Sequence, residues 1–478
     1  MDALVISAAM PTIVAELGGL HLFSWVYSSY FLARAVSLPI FGKLIDLYKN
    51  RNLFISAIGL FIMSSVAAGC AINMITLIIA RVFQGIAAGG IFALVYVVLA
   101  DISLPQNRGR TLSFASSVWG IASVLGPTLG GFIVTYFSWR WIFFINLPLG
   151  LVSLLGIGAY FVELRTKKDN VSVDIAGVAS LSTAILTFLF AFLLGGRNYA
   201  WISSPIIGLL ILSVVSILVF IAIEHRAKDP ILFIGFFRIR GFSTGNTAVF
   251  LSSFAIFSMF AFAPLFMQGA QGRSPMQVGV AMLSLSLGWS LGSLALGQFI
   301  DRVGRKGTAV TGAVCLFAGC AVTLTYTSIT SIYYIFVNFF VIGIGMGWVA
   351  LSTLVVVQSS LDENDLGVAT SSNQFARTLG GAVGVGICGS FIDTRFSSLF
   401  EALSTSDLIR HLPTKLSGTR SGQIESLLHP EAQAAMPEAL RLMVQGAVVD
   451  GVTGVFWTVT VAAGFCLLLC LFMPEEKK

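Results

Sequence analysis

The sequence predicts an all-α polytopic membrane protein with fourteen transmembrane helices. Three observations predict it. Only 10% of the 478 residues are charged and 56% are hydrophobic, whereas a soluble domain carries about 25% charged residues. The mean hydropathy is +0.90. Apolar stretches of about 20 residues, the helical length that spans a ~30 Å hydrocarbon core, recur from end to end. A soluble reading as about three domains fails on the same composition. The net charge of +6 implies no nucleic-acid partner, because most Lys and Arg fall in short connections between apolar runs.

In chain order the runs cover residues 1–17, 23–44, 52–70, 75–100, 110–134, 139–161, 174–194, 204–224, 244–268, 278–300, 308–326, 331–357, 367–391 and 447–473. The first is short, about 25 Å as helix against a ~30 Å core, so about ten or more further apolar residues are expected upstream of Met1. Orientation follows from the basic residues of the short loops. One set of loops holds Lys43, Lys49, Arg51, Arg108, Arg110, Arg165, Lys167, Lys168, Arg226, Lys228, Arg238, Arg240, Arg302, Arg305 and Lys306, plus Lys477 and Lys478 at the tail. The alternating set holds Arg140, Arg197 and Arg273. The first set is therefore cytoplasmic, and an even helix count puts both termini inside. The acidic loop Leu361–Leu366 is the exception to the pattern. The longest connection, residues 393–446, falls outside; its stretch Pro430–Leu442 reads either as an amphipathic helix folded back on the bundle or as a disordered flap.

Function first shows in an internal repeat, which marks transporters built from two halves. After the second run stand Gly42, Asp46 four residues on, then Lys49 and Arg51; after the tenth stand Gly297, Asp301, then Arg302, Gly304, Arg305 and Lys306. Glycine permits close helix approach, the aspartate falls in the last helical turn, and the basic residues face the headgroups.

With these residues the chain resembles the major facilitator superfamily, in particular its fourteen-helix drug:proton antiporter branch. The family's G-x-L-x-D-x-x-x-x-R hairpin stands at Gly42, Leu44, Asp46 and Arg51, with Lys49 in place of the usual Gly. Its R-x-x-Q-G stands at Arg81, Gln84 and Gly85, and its antiporter-associated G-P-x-x-G-G at Gly126, Pro127, Gly130 and Gly131. Asp2 and Pro11 match the first helix, and Trp139, Arg140, Trp141, Asn146 and Pro148 match the start of the sixth. The resemblance implies two six-helix bundles, residues 1–161 and 244–473, with two linker helices inserted at 162–243. It implies a proton-coupled exporter of small amphipathic molecules, probing one side of the membrane at a time. A dedicated exporter of an anionic metabolite or siderophore is the alternative; a membrane sensor that transports nothing is a further reading, and it lacks the soluble signalling domain it calls for.

The remaining chemistry is sparse. Four scattered histidines and six cysteines without a C-x-x-C leave nothing for a metal site, cofactor or enzyme, and the cysteines (Cys70, Cys315, Cys320, Cys388, Cys466, Cys470) read as small buried apolar residues. Charges within the spans cost at least ~2.5–3.5 kcal/mol each and usually face a cavity or partner. Asp2, Arg34, Arg81 and Arg377 qualify. Asp2 is the only deep acid, and a carboxyl that is neutral when protonated is a natural proton carrier. Counted from the outer ends of their helices at 1.5 Å per residue, Asp2 lies about 22 Å deep, Arg34 about 16 Å and Arg81 about 10 Å. Depth favours Arg34 as the partner of Asp2; the resemblance favours Arg81. The candidate cavity residues are Arg34, Gln84, Trp119, Asn373, Gln374 and Arg377, and the surplus of arginine predicts an electropositive cavity. Gly126, Gly130 and Gly131 with Pro127 read either as a packing face or as a hinge. Gly384, Gly386 and Gly389 mimic a dinucleotide fingerprint but lie inside an apolar run, so tight helix packing is expected. Phe250, Phe254 and Phe257 share one helix face, expected to meet lipid somewhat more than substrate. The lipid bilayer, protons and a small-molecule substrate are the partners expected, in a monomer of the cell membrane.

Overall fold

The structure, a computed structural model, describes residues 6, 9–10, 12–13, 16–17, 22–103, 107–163, 174–195, 199–227, 233–404 and 438–475. The described residues of α1, at 6, 9–10, 12–13 and 16–17, are helical. There follow α2 (Phe23–Leu47), α3 (Asn50–Gly69), α4 (Met74–Asp101), α5 (Arg108–Tyr136) and α6 (Trp141–Phe144 continuing as Asn146–Tyr160). Next come α7 (Ile175–Leu194), α8 (Ser204–Glu224), α9 (Arg240–Leu265), α10 (Pro275–Val303) and α11 (Arg305–Thr323). The chain ends with α12 (Ile332–Ser359), α13 (Leu366–Ser404) and α14 (Glu438–Leu471). Eleven helical segments among the described residues are long and apolar enough to cross a membrane. With α2, at 25 residues, α5, at 29, and α1 they make the expected fourteen.

Local chemistry sets several of the starts. Asn73 caps α4 by accepting from the Thr76 N–H at 2.8 Å, Ser274 opens α10 in a capping box with Gln277, and Asp174 caps α7 by accepting from the Gly177 N–H. Each side chain takes up a backbone donor that the first turn leaves unpaired.

The helices form two halves with matching packing. In the first, α4 presses on α2 because a Cβ at Gly85 would stand 2.4 Å from the Tyr30 carbonyl oxygen. In the second, α12 presses on α10, where a Cβ at Gly343 would stand 2.2 Å from that of Leu285. The halves meet along two seams, α2 with α13 and α5 with α10. The inserted pair α7 and α8 pack on each other, and α7 leans on α2 and α13 through a core that includes Leu32, Leu181, Ile185, Leu189 and Phe220.

Three expectations change. The connection expected over 393–446 is shorter, since α13 runs on to Ser404 and α14 already begins at Glu438. Residues 438–442 are the first turn of α14, and the rest of the stretch from Pro430 lies outside the described residues. The Phe face of α9 meets protein: Cβ atoms at Gly380 and Gly384 would strike the Phe250 and Phe254 carbonyls at 2.1 and 2.5 Å, and one at Gly381 the Phe257 ring at 2.7 Å. Gly384 therefore packs α13 on α9, and Gly386 packs it on α7, where a Cβ would stand 2.9 Å from the Phe192 carbonyl oxygen. Finally, Cys70 is exposed and Cys315 half-buried, while Cys320, Cys388, Cys466 and Cys470 are buried; all six are free.

Candidate functional site

The two seams close the same end of the molecule, the end that carries the basic hairpins. At the first seam, Gly42 of α2 lets α13 approach until a Cβ there would stand 1.8 Å from Ser371 Oγ and 2.5 Å from Ser371 Cβ. A Cβ at Gly367 would in turn meet the Gly42 carbonyl oxygen at 2.4 Å. This approach brings Asp46 onto the start of α13. Its carboxylate accepts from the backbone N–H of Gly367 at 2.8 Å and of Val368 at 2.9 Å. A helix start offers unpaired N–H groups and a partial positive charge, so a carboxylate is the complementary group.

The second seam repeats the design. A Cβ at Gly297 of α10 would meet Ser113 Oγ and Cβ at 2.5 and 2.6 Å and the Gly109 carbonyl at 3.0 Å, and one at Gly109 would meet Ile300 Cγ2 at 2.4 Å. Gly109 and Ser113 on α5 thus play the parts of Gly367 and Ser371 on α13. The side chains of Asp301 and Arg302 lie outside the described residues. Gly304 is the single residue between α10 and α11, at φ 86°, and Arg305 starts α11. Arg51 faces away from the seam: its guanidinium donates to the Gly158 carbonyl and its N–H to the Glu163 carboxylate at 3.2 Å, tying α3 to the end of α6.

Deeper in the membrane region is a polar, arginine-bearing centre. Arg34 of α2 lies with its guanidinium 4.3 Å from the Phe92 ring centroid. Arg377 of α13 lies 4.7 Å from that of Trp289 on α10, and Tyr96 of α4 is its hydrogen-bonding neighbour. Phe92 and Tyr96 stack edge to face at 5.2 Å, and Trp289 meets Phe257 at 6.4 Å. Asn373 and Gln374, one turn before Arg377, are buried, and Asn373 Nδ2 and Gln374 Oε1 have no hydrogen-bond partner among the described residues.

Toward the other end, Arg81 is fully buried in a network of the first half. Its Nε donates to the Val26 carbonyl and its Nη1 to Gln84 Oε1 at 2.7 Å. Gln84 passes the chain on to Ser65 Oγ at 2.8 Å, which also receives Asn146 Nδ2. The close α2–α4 contact at Gly85 places the Tyr30 ring 4.1 Å from the Arg81 guanidinium. At the outer rim, Glu16 accepts from Trp139 Nε1 at 2.6 Å and pairs with Arg140 at 2.9 Å.

Of the expected site residues, the structure thus links Arg34 and Arg377 through the Phe92–Tyr96 pair, sets Asn373 and Gln374 one turn before Arg377 on α13, and keeps Arg81 and Gln84 in a separate network. Asp2 lies outside the described residues; Trp119, Gly126, Pro127 and Gly131 stand within α5, with their side chains outside the description, and Gly130 of the same helix is buried. Sequence reading missed Tyr96, Phe92 and Trp289, which as single aromatics in apolar runs carry no periodic signal. It also missed Gly109 and Ser113, although a shared G-x-x-x-S at the starts of α5 and α13 was there to be found.

This architecture is that of a membrane transporter, and comparison with known proteins gives the family. The family model described as Major Facilitator Superfamily matches residues 1–385, and the chain belongs to that superfamily. It is 32% identical over its whole length, and over 92% of the relative's, to the multidrug transporter protein MdtP of Bacillus subtilis. It is 30% identical to multidrug resistance protein 3 of the same organism, covering 100% of this chain and 93% of that one. Among solved structures, the proton:xylose symporter XylE matches at a TM-score of 0.58 and 14% identity, covering 99% and 92% of the two chains. That likeness is one of fold alone.

Proposed function

We propose that the protein is a proton-driven exporter of small amphipathic molecules, working by alternating access as a monomer of the cell membrane with both termini cytoplasmic. The observation that carries this reading is the duplicated closure of one end, α2 on α13 and α5 on α10, beneath a polar centre reached by helices of both halves. A carrier that opens to one side at a time needs such a matched pair of seams. The bodies that rock are residues 1–161 and 244–473, with the 162–243 hairpin riding on the α2–α13 seam. The basic hairpins put the closed end on the cytoplasmic side. The names of the relatives support export of drug-like substrates. No covalent step is required and no cofactor takes part.

Asp2 carries the proton. Protonation from outside neutralises it, loosens its pairing with Arg34 or Arg81 and permits outward release; deprotonation inside resets the carrier. One proton moving through 100 mV supplies about 2.3 kcal/mol, about forty-fold accumulation. The test uses purified protein in proteoliposomes with an entrapped pH dye and a screen of amphipathic drugs. Some compounds should drain an imposed proton gradient through the wild type and none through a folded Asp2→Asn variant. A screen in which no compound drains the gradient refutes the exporter, and undiminished proton movement in Asp2→Asn refutes the carrier residue.

A further inference from the structure

The centre between the halves carries two like charges. Arg34 comes from α2 and Arg377 from α13, and α4 links them: Arg34 lies over Phe92, whose ring meets that of Tyr96 at 5.2 Å, and Tyr96 is the hydrogen-bonding neighbour of Arg377. Each guanidinium carbon lies over an aromatic ring, Phe92 at 4.3 Å and Trp289 at 4.7 Å. A ring against one side of a guanidinium shields that side, and the planar fork of N–H donors matches the two oxygens of a carboxylate. Among the described residues Arg34 has no acid partner and its buried Nε has no acceptor. Asn373, 1% exposed and four residues before Arg377 on the same face of α13, holds a second buried donor, Nδ2, without a partner among the described residues. Buried donors are rarely left unmet in a finished structure. The unmet groups here are thus two donors and a positive charge, walled by rings, with Gln374 Oε1 as an unmet acceptor one turn before Arg377.

We propose that Arg34 and Arg377, with Asn373 Nδ2, form an anion-binding site that takes the carboxylate of an amphipathic substrate, its apolar part lying along the aromatic wall of Phe92, Trp289 and Phe257. The site rests on the exporter reading for its place in a transport cycle, and it selects organic anions over cations. A substrate carboxylate bridging the two arginines also joins α2 to α13, so its binding and release are coupled to the seam that Asp46 closes.

The test is equilibrium binding in phosphatidylcholine nanodiscs, which needs no transport, with three probes that share one ring: 2-naphthoate, 2-naphthamide and 2-naphthyltrimethylammonium. The wild type should bind naphthoate at least about tenfold more tightly than naphthamide, a difference of about 1.4 kcal/mol, and the cation most weakly. Arg34→Gln and Arg377→Gln should each bring naphthoate to parity with naphthamide while naphthamide affinity and the elution profile stay as in the wild type. Arg34→Lys, which keeps the charge and loses the planar fork, should retain part of the preference and serves if the glutamine variants do not fold. Parity in the wild type, preference for the cation, absence of binding by all three probes, or full preference retained in Arg34→Gln each overturns the site. If naphthoate binds selectively while no drug drains a proton gradient, the site stands and the exporter reading falls.

Discussion

The two hairpins that open the seams share a frame and solve the turn differently. Both place glycine four residues before aspartate, and both glycines meet a serine on the helix across the seam, Ser371 for Gly42 and Ser113 for Gly297. Seven residues after the glycine, however, the first hairpin has Lys49 and the second Gly304. After α2 the chain uses two extended residues, Tyr48 at φ −111° and Lys49 at φ −62°, before α3 starts at Asn50. After α10 it uses Gly304 alone, at φ 86° and ψ 148°, a region that only glycine occupies without strain. The seam contacts are shared by the two halves because both must close; the turn beyond them is free to differ. Chain geometry at the turn decides whether glycine is required there, and one extra extended residue removes the requirement.

The largest expected effect comes from filling the shared contact. Gly42→Ala puts a methyl 2.5 Å from Ser371 Cβ, which no rotamer change relieves, so α2 and α13 must part, at about 1–3 kcal/mol for such overpacking. A reporter cysteine replacing the buried Ala369, in a background without the native cysteines, should then label from the cytoplasmic side where it was protected before. Ser371→Gly in the same chain should restore much of the protection. Gly297→Ala should behave alike and be relieved by Ser113→Gly. A strong effect at one seam with none at the other would break the equivalence of the two halves.

The turn residues come next. Gly304→Ala should destabilise the protein by about 1–3 kcal/mol, the strain of a side chain in that backbone region. Lys49→Gly, at the equivalent position, should lower stability by no more than about 0.5–1 kcal/mol through added freedom of the unfolded chain. Thermal unfolding of the two variants in one detergent measures the contrast. Equal losses would mean that the two turns are alike after all.

How much of this was legible beforehand follows the same division. Fourteen apolar runs mark where helices cross, because lipid demands long apolar stretches. The contact of Asp46 with the start of α13 was beyond local reading, since no local pattern names a partner 321 residues away. Hydropathy could not show that α13 continues to Ser404, because a polar helical extension beyond the membrane and a polar loop have the same composition. Nor could it show that Phe250, Phe254 and Phe257 face the glycines of α13, since lipid tails and a helix surface are equally apolar neighbours. The pairing of Arg34 with Phe92, and of Arg377 with Trp289 and Tyr96, depends on how four helices converge and leaves no trace in any one of them.

At the seam itself the smaller expected effect belongs to Asp46, and it sharpens the comparison most. Asn at this position keeps an oxygen that accepts from the Gly367 or Val368 N–H but loses the charge that faces the positive end of α13. The loss should amount to about 0.3–2 kcal/mol, enough to shift the balance between closed and open cytoplasmic ends without preventing closure, since the glycine contacts of Gly42 and Gly367 remain. Asp46→Asn should therefore raise labelling of the Ala369→Cys reporter less than Gly42→Ala does, and substrate affinity measured at equilibrium should change little. Moderate salt should leave the effect largely intact, because the carboxylate is only partly solvated and such contacts are weakly screened. Labelling in Asp46→Asn equal to that of the otherwise unaltered protein would show that glycine packing alone holds the seam, and that the aspartate of the hairpin contributes nothing to the closed state.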